Sequence, residues 1–173
     1  MNDGFAHDLR IDRIRDGDRL DLVADDAERG AVAKRLGLGL IKRLEAHVTL
    51  DRKGELVLAQ GRLVASLEQS CIVTGEPVAA HIDEPFELAF VPEPKPSAPD
   101  EEIELGEGDC DTVFYDGASI DLGGALADTL ALSLDPYPRS ATADAALKEA
   151  GILTEIEAGP FAALAALKKD DRP

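Results

Sequence analysis

The chain has no tryptophan, and aromatic residues of all kinds make up 4% of it. Its core must therefore be aliphatic, and it offers no aromatic platform on which nucleic-acid bases could stack. It has two cysteines, Cys71 and Cys110. That is too few for a disulfide framework, and cytosolic thiols stay reduced. No apolar run reaches the ~18 residues of a membrane-spanning helix. The N-terminal stretch "MNDGFAHDLRIDRIRDGDRL" carries both charge signs and lacks the apolar stretch of a signal peptide. A cytoplasmic protein is expected. Also missing are the phosphate-cradling G-x-x-x-x-G-K, a dinucleotide fingerprint and a nucleophile elbow. Nothing in the sequence argues for an enzyme, and no cofactor is expected.

The 173 residues are 45% apolar, enough for one domain with an appended arm. The net charge of −17 is unevenly spread: residues 1–69 hold 12 basic and 13 acidic side chains, residues 70–173 hold 6 and 22. Nucleic-acid affinity comes largely from cations that replace counterions, so the second part repels phosphate backbones and any RNA contact falls to the first 69 residues. The acidic part suits a basic partner such as a ribosomal protein, or else serves solubility alone.

Periodicity points to an α+β fold: an antiparallel β-sheet meander packed with helices, an acidic linker and C-terminal helices. "HDLRIDRI" alternates as a first strand that ends at Gly17. "DDAERGAVAKRLGL" reads as a helix capped by Asp25 or Asp26, with Val32 and Leu36 on one face. In "RLEAHVTL", Leu44, Ala46, Val48 and Leu50 fall on one side of a strand. "ELVLAQGRLVASLEQS" returns as a long strand in which Gly61 suggests a bulge. "AHIDEPFELAFV" makes another, with Ile82, Phe86, Leu88 and Phe90 evenly spaced. Residues 92–109, with four prolines and seven acids, read as a linker that cannot bury enough apolar surface to order itself, although "IEL" could pair as a short strand. "DTVFYDG" restores a strand. Asp121 then caps a helix striped by Leu122, Leu126, Leu130 and Leu134, ending before Pro136. A weak helix near 143–150 and another opened by Pro160 follow. The expected organisation is an N-terminal part over 1–91, the linker 92–109, and a strand with C-terminal helices over 110–173 that complete a single domain.

Candidate chemistry is sparse. Cys71 stands three residues before a position where a second cysteine would make a metal knuckle, but that position is Thr74. Zinc needs four thiolate or imidazole ligands, and His7, His47, His81 and Cys110 show no pair spacing. A catalytic thiol would want a nearby base or cation, and although His81 is a conceivable base, Glu76, Asp83 and Glu84 would raise the thiol pKa. A small, inert, buried Cys71 is the favoured reading. A metal-dependent nuclease would need Asp111, Asp116 and Asp121 to converge. Lys34, Arg35, Lys42, Arg43, Arg52 and Lys53 are the candidate RNA-binding residues, if the helix-to-strand turn and the next hairpin tip share a side. The rival reading is a solvated face with interleaved acids.

"GRLVASLEQSCIVTGEPVAAHIDEPFELAFVPE", an acidic gap and "SIDLGGALADTLALSLDPYPR" together resemble the YceD family of large ribosomal RNA subunit accumulation proteins. The motif residues are Cys71, Pro77 and Val78, then Ile120, Asp121 and Leu122, then Pro136 and Pro138. The resemblance spans roughly residues 40–140. Many members carry Cys-x-x-Cys where this chain has Cys71 to Thr74, and further cysteines just after Pro-x-Pro. Both halves are missing here, which implies no metal and leaves hydrophobic packing to join the hairpin to the C-terminal helix. The implied role is non-enzymatic: bacterial ribosome synthesis, supporting 23S ribosomal RNA accumulation or processing. Its partners would be precursor 23S RNA, a basic ribosomal protein or a nuclease. The alternative is an acidic adaptor or chaperone for a basic ribosomal protein, without RNA contact.

Overall fold

The computed structural model describes Phe5, residues 7–93 and residues 111–152. The expected linker and the helix opened by Pro160 lie outside these residues, apart from the linker's first two positions. The described chain is α+β, with seven strands and three α-helices: β1 Asp8–Arg10, β2 Asp18–Val23, α1 Asp26–Leu36, β3 Leu40–Lys53, β4 Leu56–Ser70, β5 Pro77–Pro92, β6 Asp111–Tyr115, β7 Ser119–Asp121, α2 Leu122–Leu132 and α3 Ala143–Glu149. It divides into two compact units, residues 1–69 with 79–136, and residues 70–78 with 137–173.

The first unit is built on a five-stranded sheet of order β2-β3-β4-β5-β6. Alternation writes its buried face: Leu44, Ala46, Val48 and Leu50 on β3, then Val57, Ala59, Leu63, Ala65 and Leu67 on β4, then Phe86, Leu88 and Phe90 on β5. These side chains join Val32 of α1 and Leu122, Leu126 and Leu130 of α2 in one core cluster. Both helices therefore cover the same face. A second sheet pairs β1 with β7, antiparallel, with Leu9 opposite Ile120.

Local chemistry explains the helix bounds. Asp25 accepts the Glu28 N–H at 2.8 Å while the Glu28 carboxylate accepts the Asp25 N–H at 2.9 Å, a reciprocal capping box. Gly37, at φ 65°, ends α1 in the left-handed region that glycine adopts at least cost. Asp121 caps α2 by accepting the Gly124 N–H at 2.8 Å.

Two features differ from expectation, and a third was left open by the sequence. The first strand is short, and after a single 3₁₀ turn the chain forms β2, an edge strand whose polar–apolar alternation buries just Leu22 fully. The bulge sits at Lys42, where the β3–β4 register shifts, and not at Gly61, which stays in register opposite Val48. The bulge turns both Ile41 and Leu44 inward, though their spacing is odd. Gly61 is instead a close-approach glycine: a Cβ there would lie 1.9 Å from the His47 carbonyl oxygen. Finally, β6 runs parallel to β5, with Leu88 opposite Asp111 and Pro92 opposite Tyr115, so the meander ends at β5. The Tyr115 hydroxyl ties β6 to the β3–β4 turn by donating to the Glu55 carbonyl at 2.6 Å.

Candidate functional site

The six candidate cations, whose sharing of a face the sequence left open, are divided by the length of β3. Lys34 and Arg35 close α1, and Lys42 and Arg43 open β3 nearby. Arg52 and Lys53 lie at the far end of that strand, about 33 Å away at a strand rise of roughly 3.3 Å per residue. Several are also engaged within the fold. Arg35 pairs with Asp128 at 2.5 Å, Lys42 with Glu68 at 2.6 Å and Arg43 with Glu45 at 2.7 Å. The Arg43 guanidinium holds the Glu45 carboxyl below its usual range. Arg52 donates to the carbonyls of Ile11, at 2.6 Å, and Gly54, at 2.9 Å. Lys34 and Lys53 carry no ion pair among the described residues. Across the solvent face of the sheet, Arg62 pairs with Asp83 and His47 with Asp21.

The second unit gathers Cys71, Thr74 and Ser140. After β4 the chain makes a tight loop, with the Cys71 N–H donating to Glu76 O at 2.8 Å and the Gly75 N–H to Cys71 O at 2.9 Å. Buried Pro138 accepts the Ile72 N–H at 2.9 Å, which brings the stretch after the Pro-x-Pro alongside. The Cys71 sulfur, 3% exposed, accepts three backbone N–H groups: Ser140 at 3.2 Å, and Val73 and Thr74 at 3.4 Å each. Burial raises the thiol pKa, but the bonds from Ser140 and Thr74 outweigh it and bring it down to about 6. The Thr74 hydroxyl lies 3.1 Å from that of Ser140, which in turn lies 3.0 Å from that of Thr142. Glu76 accepts from Thr74, at 3.1 Å, and from Thr142. The hydroxyls of Thr142, Ser140 and Thr74 hold its carboxyl below the usual range.

Hydrogen bonds thus join the Cys71 loop to the chain after Pro138, while the hydrophobic packing expected between the hairpin and a following helix is met where β4 and β5 share the core cluster with α2. Sequence reasoning noticed Thr74 and Glu76 but missed Ser140 and Thr142 as their partners, and the thiol pKa it expected Glu76, Asp83 and Glu84 to raise is instead lowered by the N–H groups. The available signal was a hydroxyl residue two places after the Pro-x-Pro. No group of three or more His, Cys, Asp or Glu gathers among the described residues, and Asp111, Asp116 and Asp121 do not converge.

The remaining motif residues fall in both units. Pro77 and Val78 begin β5, the first exposed and the second half-buried; Pro136 is exposed. Ile120 and Leu122 are fully buried on either side of the capping Asp121. Residues 59–168, well over half of the chain, match the family profile of the large ribosomal RNA subunit accumulation protein YceD. The chain belongs to the YceD family. Neither the curated proteins nor the solved structures give a match. The YceD match takes in the Cys71 loop, β5, β6 and α2, and all six candidate RNA-binding cations precede it. The matched stretch holds 5 basic and 21 acidic side chains, so nearly all of the net charge lies within it. No helix among the described residues is long and apolar enough to cross a membrane.

Proposed function

We propose that this protein is a non-enzymatic, cytoplasmic factor in bacterial large-subunit assembly that supports 23S ribosomal RNA accumulation or processing. The YceD match over residues 59–168 carries this reading. In its fuller form Lys34, Arg35, Lys42 and Arg43 meet precursor RNA, while the acidic stretch meets a basic ribosomal protein or a nuclease. The test is the ratio of 23S to 16S ribosomal RNA after deletion of the gene, beside a complemented strain. A selective fall in 23S, restored by complementation, is expected; an unchanged ratio would overturn the reading.

A second reading, an acidic adaptor or chaperone for a basic ribosomal protein without RNA contact, draws on one observation. The candidate cations lie outside the matched stretch, and four of the six are held by acids or carbonyls of the same chain. Failure to bind a 23S precursor fragment, together with a lowered 23S ratio on deletion, would favour this reading.

A further inference from the structure

β2 pairs with β3 only from Glu45 onward, so among the described residues Leu40–Arg43 has β4 on one side and no strand on the other. A groove of about 440 Å³ opens between this start of β3 and α1. Its lining runs from Asp26 to Ile41, within one unbroken stretch of described chain. Ala33 and Ile41 give it a buried apolar floor. Leu40 lines it as well and stands 46% exposed, although it is a large apolar side chain. Gly30 and Gly39 bring no side chain to the lining, which leaves the groove open.

The chemistry around this groove selects its occupant. Residues 29–44 hold five cations and no acid, in a chain of net charge −17. Of the five, Lys34 lines the groove, is exposed and carries no ion pair among the described residues. Arg35 on α1, with Lys42 and Arg43 on β3, adjoins lining residues in the chain and sits in a half-exposed ion pair. Such pairs contribute little to stability, so a phosphate can take the place of the carboxylate. Arg29 is held more closely: its guanidinium donates to Ala24 O at 2.6 Å and to Asp26, the one acid in the lining. A guanidinium plane held in this way can stack on a base, where the chain has no aromatic platform. The groove has the size of sites that take small organic groups, roughly 300–1,000 Å³. It admits one unpaired base, whereas a duplex keeps its bases paired and out of reach. An extended peptide would need a regular strand edge, and the bulge at Lys42 interrupts the edge here. A free nucleotide would leave Lys42 and Arg43 unused.

We propose that this groove receives one unpaired nucleotide of a single-stranded RNA segment, with the base against Arg29 and Leu40 and neighbouring phosphates on Lys34, Lys42 and Arg43. The proposal rests on the RNA-binding form of the proposed function and deepens it, by naming a single strand as the ligand.

The probe is a fluorescein-labelled single-stranded RNA dodecamer, titrated by anisotropy against the full chain, beside the same strand annealed to its complement. A Cβ added at Gly30 meets nothing within 4 Å, and leucine is a better helix former than glycine, so Gly30→Leu fills the groove without disturbing α1. It should weaken single-strand binding about tenfold, the scale of one lost base contact, and leave the salt slope and duplex binding unchanged. Leu40→Ser, a change at an exposed side chain, should weaken single-strand binding about threefold through lost apolar contact. Lys34→Gln should reduce the salt slope by about 0.7, one phosphate contact. Lys53→Gln, which removes the same charge at the far end of β3, should leave the slope unchanged. Circular dichroism confirms that each variant folds. Parental binding by both Gly30→Leu and Leu40→Ser would overturn the proposal, as would equal losses for single strand and duplex. So would polyglutamate or adenosine monophosphate binding as tightly as the dodecamer with the same sensitivity to Gly30→Leu. If neutralising the four cations at this end of β3 flattens the salt slope while the groove variants bind normally, the groove assignment falls alone. If neither RNA binds and deletion still lowers 23S, the groove and the RNA contact fall together and the assembly role stands. If the groove variants behave as expected and deletion leaves 23S unchanged, the ribosomal reading falls alone.

Discussion

The Ser140 backbone N–H donates to the Cys71 sulfur at 3.2 Å, across 69 residues of sequence. With the Val73 and Thr74 N–H groups it makes a cradle that favours the thiolate. Hydroxyls and a carboxylate surround the cradle, and together they join the Cys71 loop to the chain after Pro138.

Cys71 should titrate near pH 6 when followed by thiolate absorbance in a Cys110→Ser background. Folding lowers this pKa from an ordinary value near 9. The stabilisation from the thiolate is therefore full above the unfolded value and is lost as pH falls through the folded one. Denaturant titrations between pH 6 and 9 should show stability rising with pH more steeply in Cys110→Ser than in Cys71→Ser combined with Cys110→Ser. Parallel slopes would refute the assignment.

Gly61→Ala should cost about 3 kcal/mol, at the upper end of what overpacking does. The added methyl meets the His47 carbonyl oxygen at 1.9 Å, and backbone there cannot swing aside as a side chain would. A urea midpoint close to that of the parent would show that the sheet adjusts.

Asp121→Ala removes the acceptor that caps α2 and should cost ~1 kcal/mol, with Asp121→Asn recovering most of it. Thermal unfolding of the pair checks this. An equal loss in both variants would point to the charge rather than the cap.

The two ends of β3 should behave differently toward RNA if the fuller form of the proposed function holds. Neutralising Lys34, Arg35, Lys42 and Arg43 should flatten the salt slope for a 23S precursor fragment by about 3, at roughly 0.7–0.9 per phosphate contact. Replacing Arg52 and Lys53 by Gln should leave the slope within about 0.5, less than one contact. An unchanged slope in the first variant removes the RNA contact and leaves the adaptor.

Much of the fold was legible because the signals were local. The Asp25 cap of α1, the leucine stripe of α2 and the alternation of Leu44, Ala46, Val48 and Leu50 each depend on neighbours within a turn or a strand. The Lys42 bulge was hidden, because it breaks the very alternation that reveals a strand. Without it β3 appeared to begin at Arg43, and its full reach of 14 residues, which parts the cations, could not be seen. Strand direction leaves no mark in side-chain period, so the parallel β6 was invisible as well. The Cys71 cluster draws on residues near 71 and near 140, and spacing within either segment says nothing of their meeting.

The pairing of Asp8 with Asp121 has a consequence for how the chain is made. A nascent protein leaves the ribosome N-terminus first, at roughly 5–20 residues per second. β1 thus emerges early but waits for β7 to be synthesised before it has a strand to pair with. Closure of the first unit is a late, non-local event, the kind that slows folding. Until then β1 stays exposed to whatever else is at the tunnel exit.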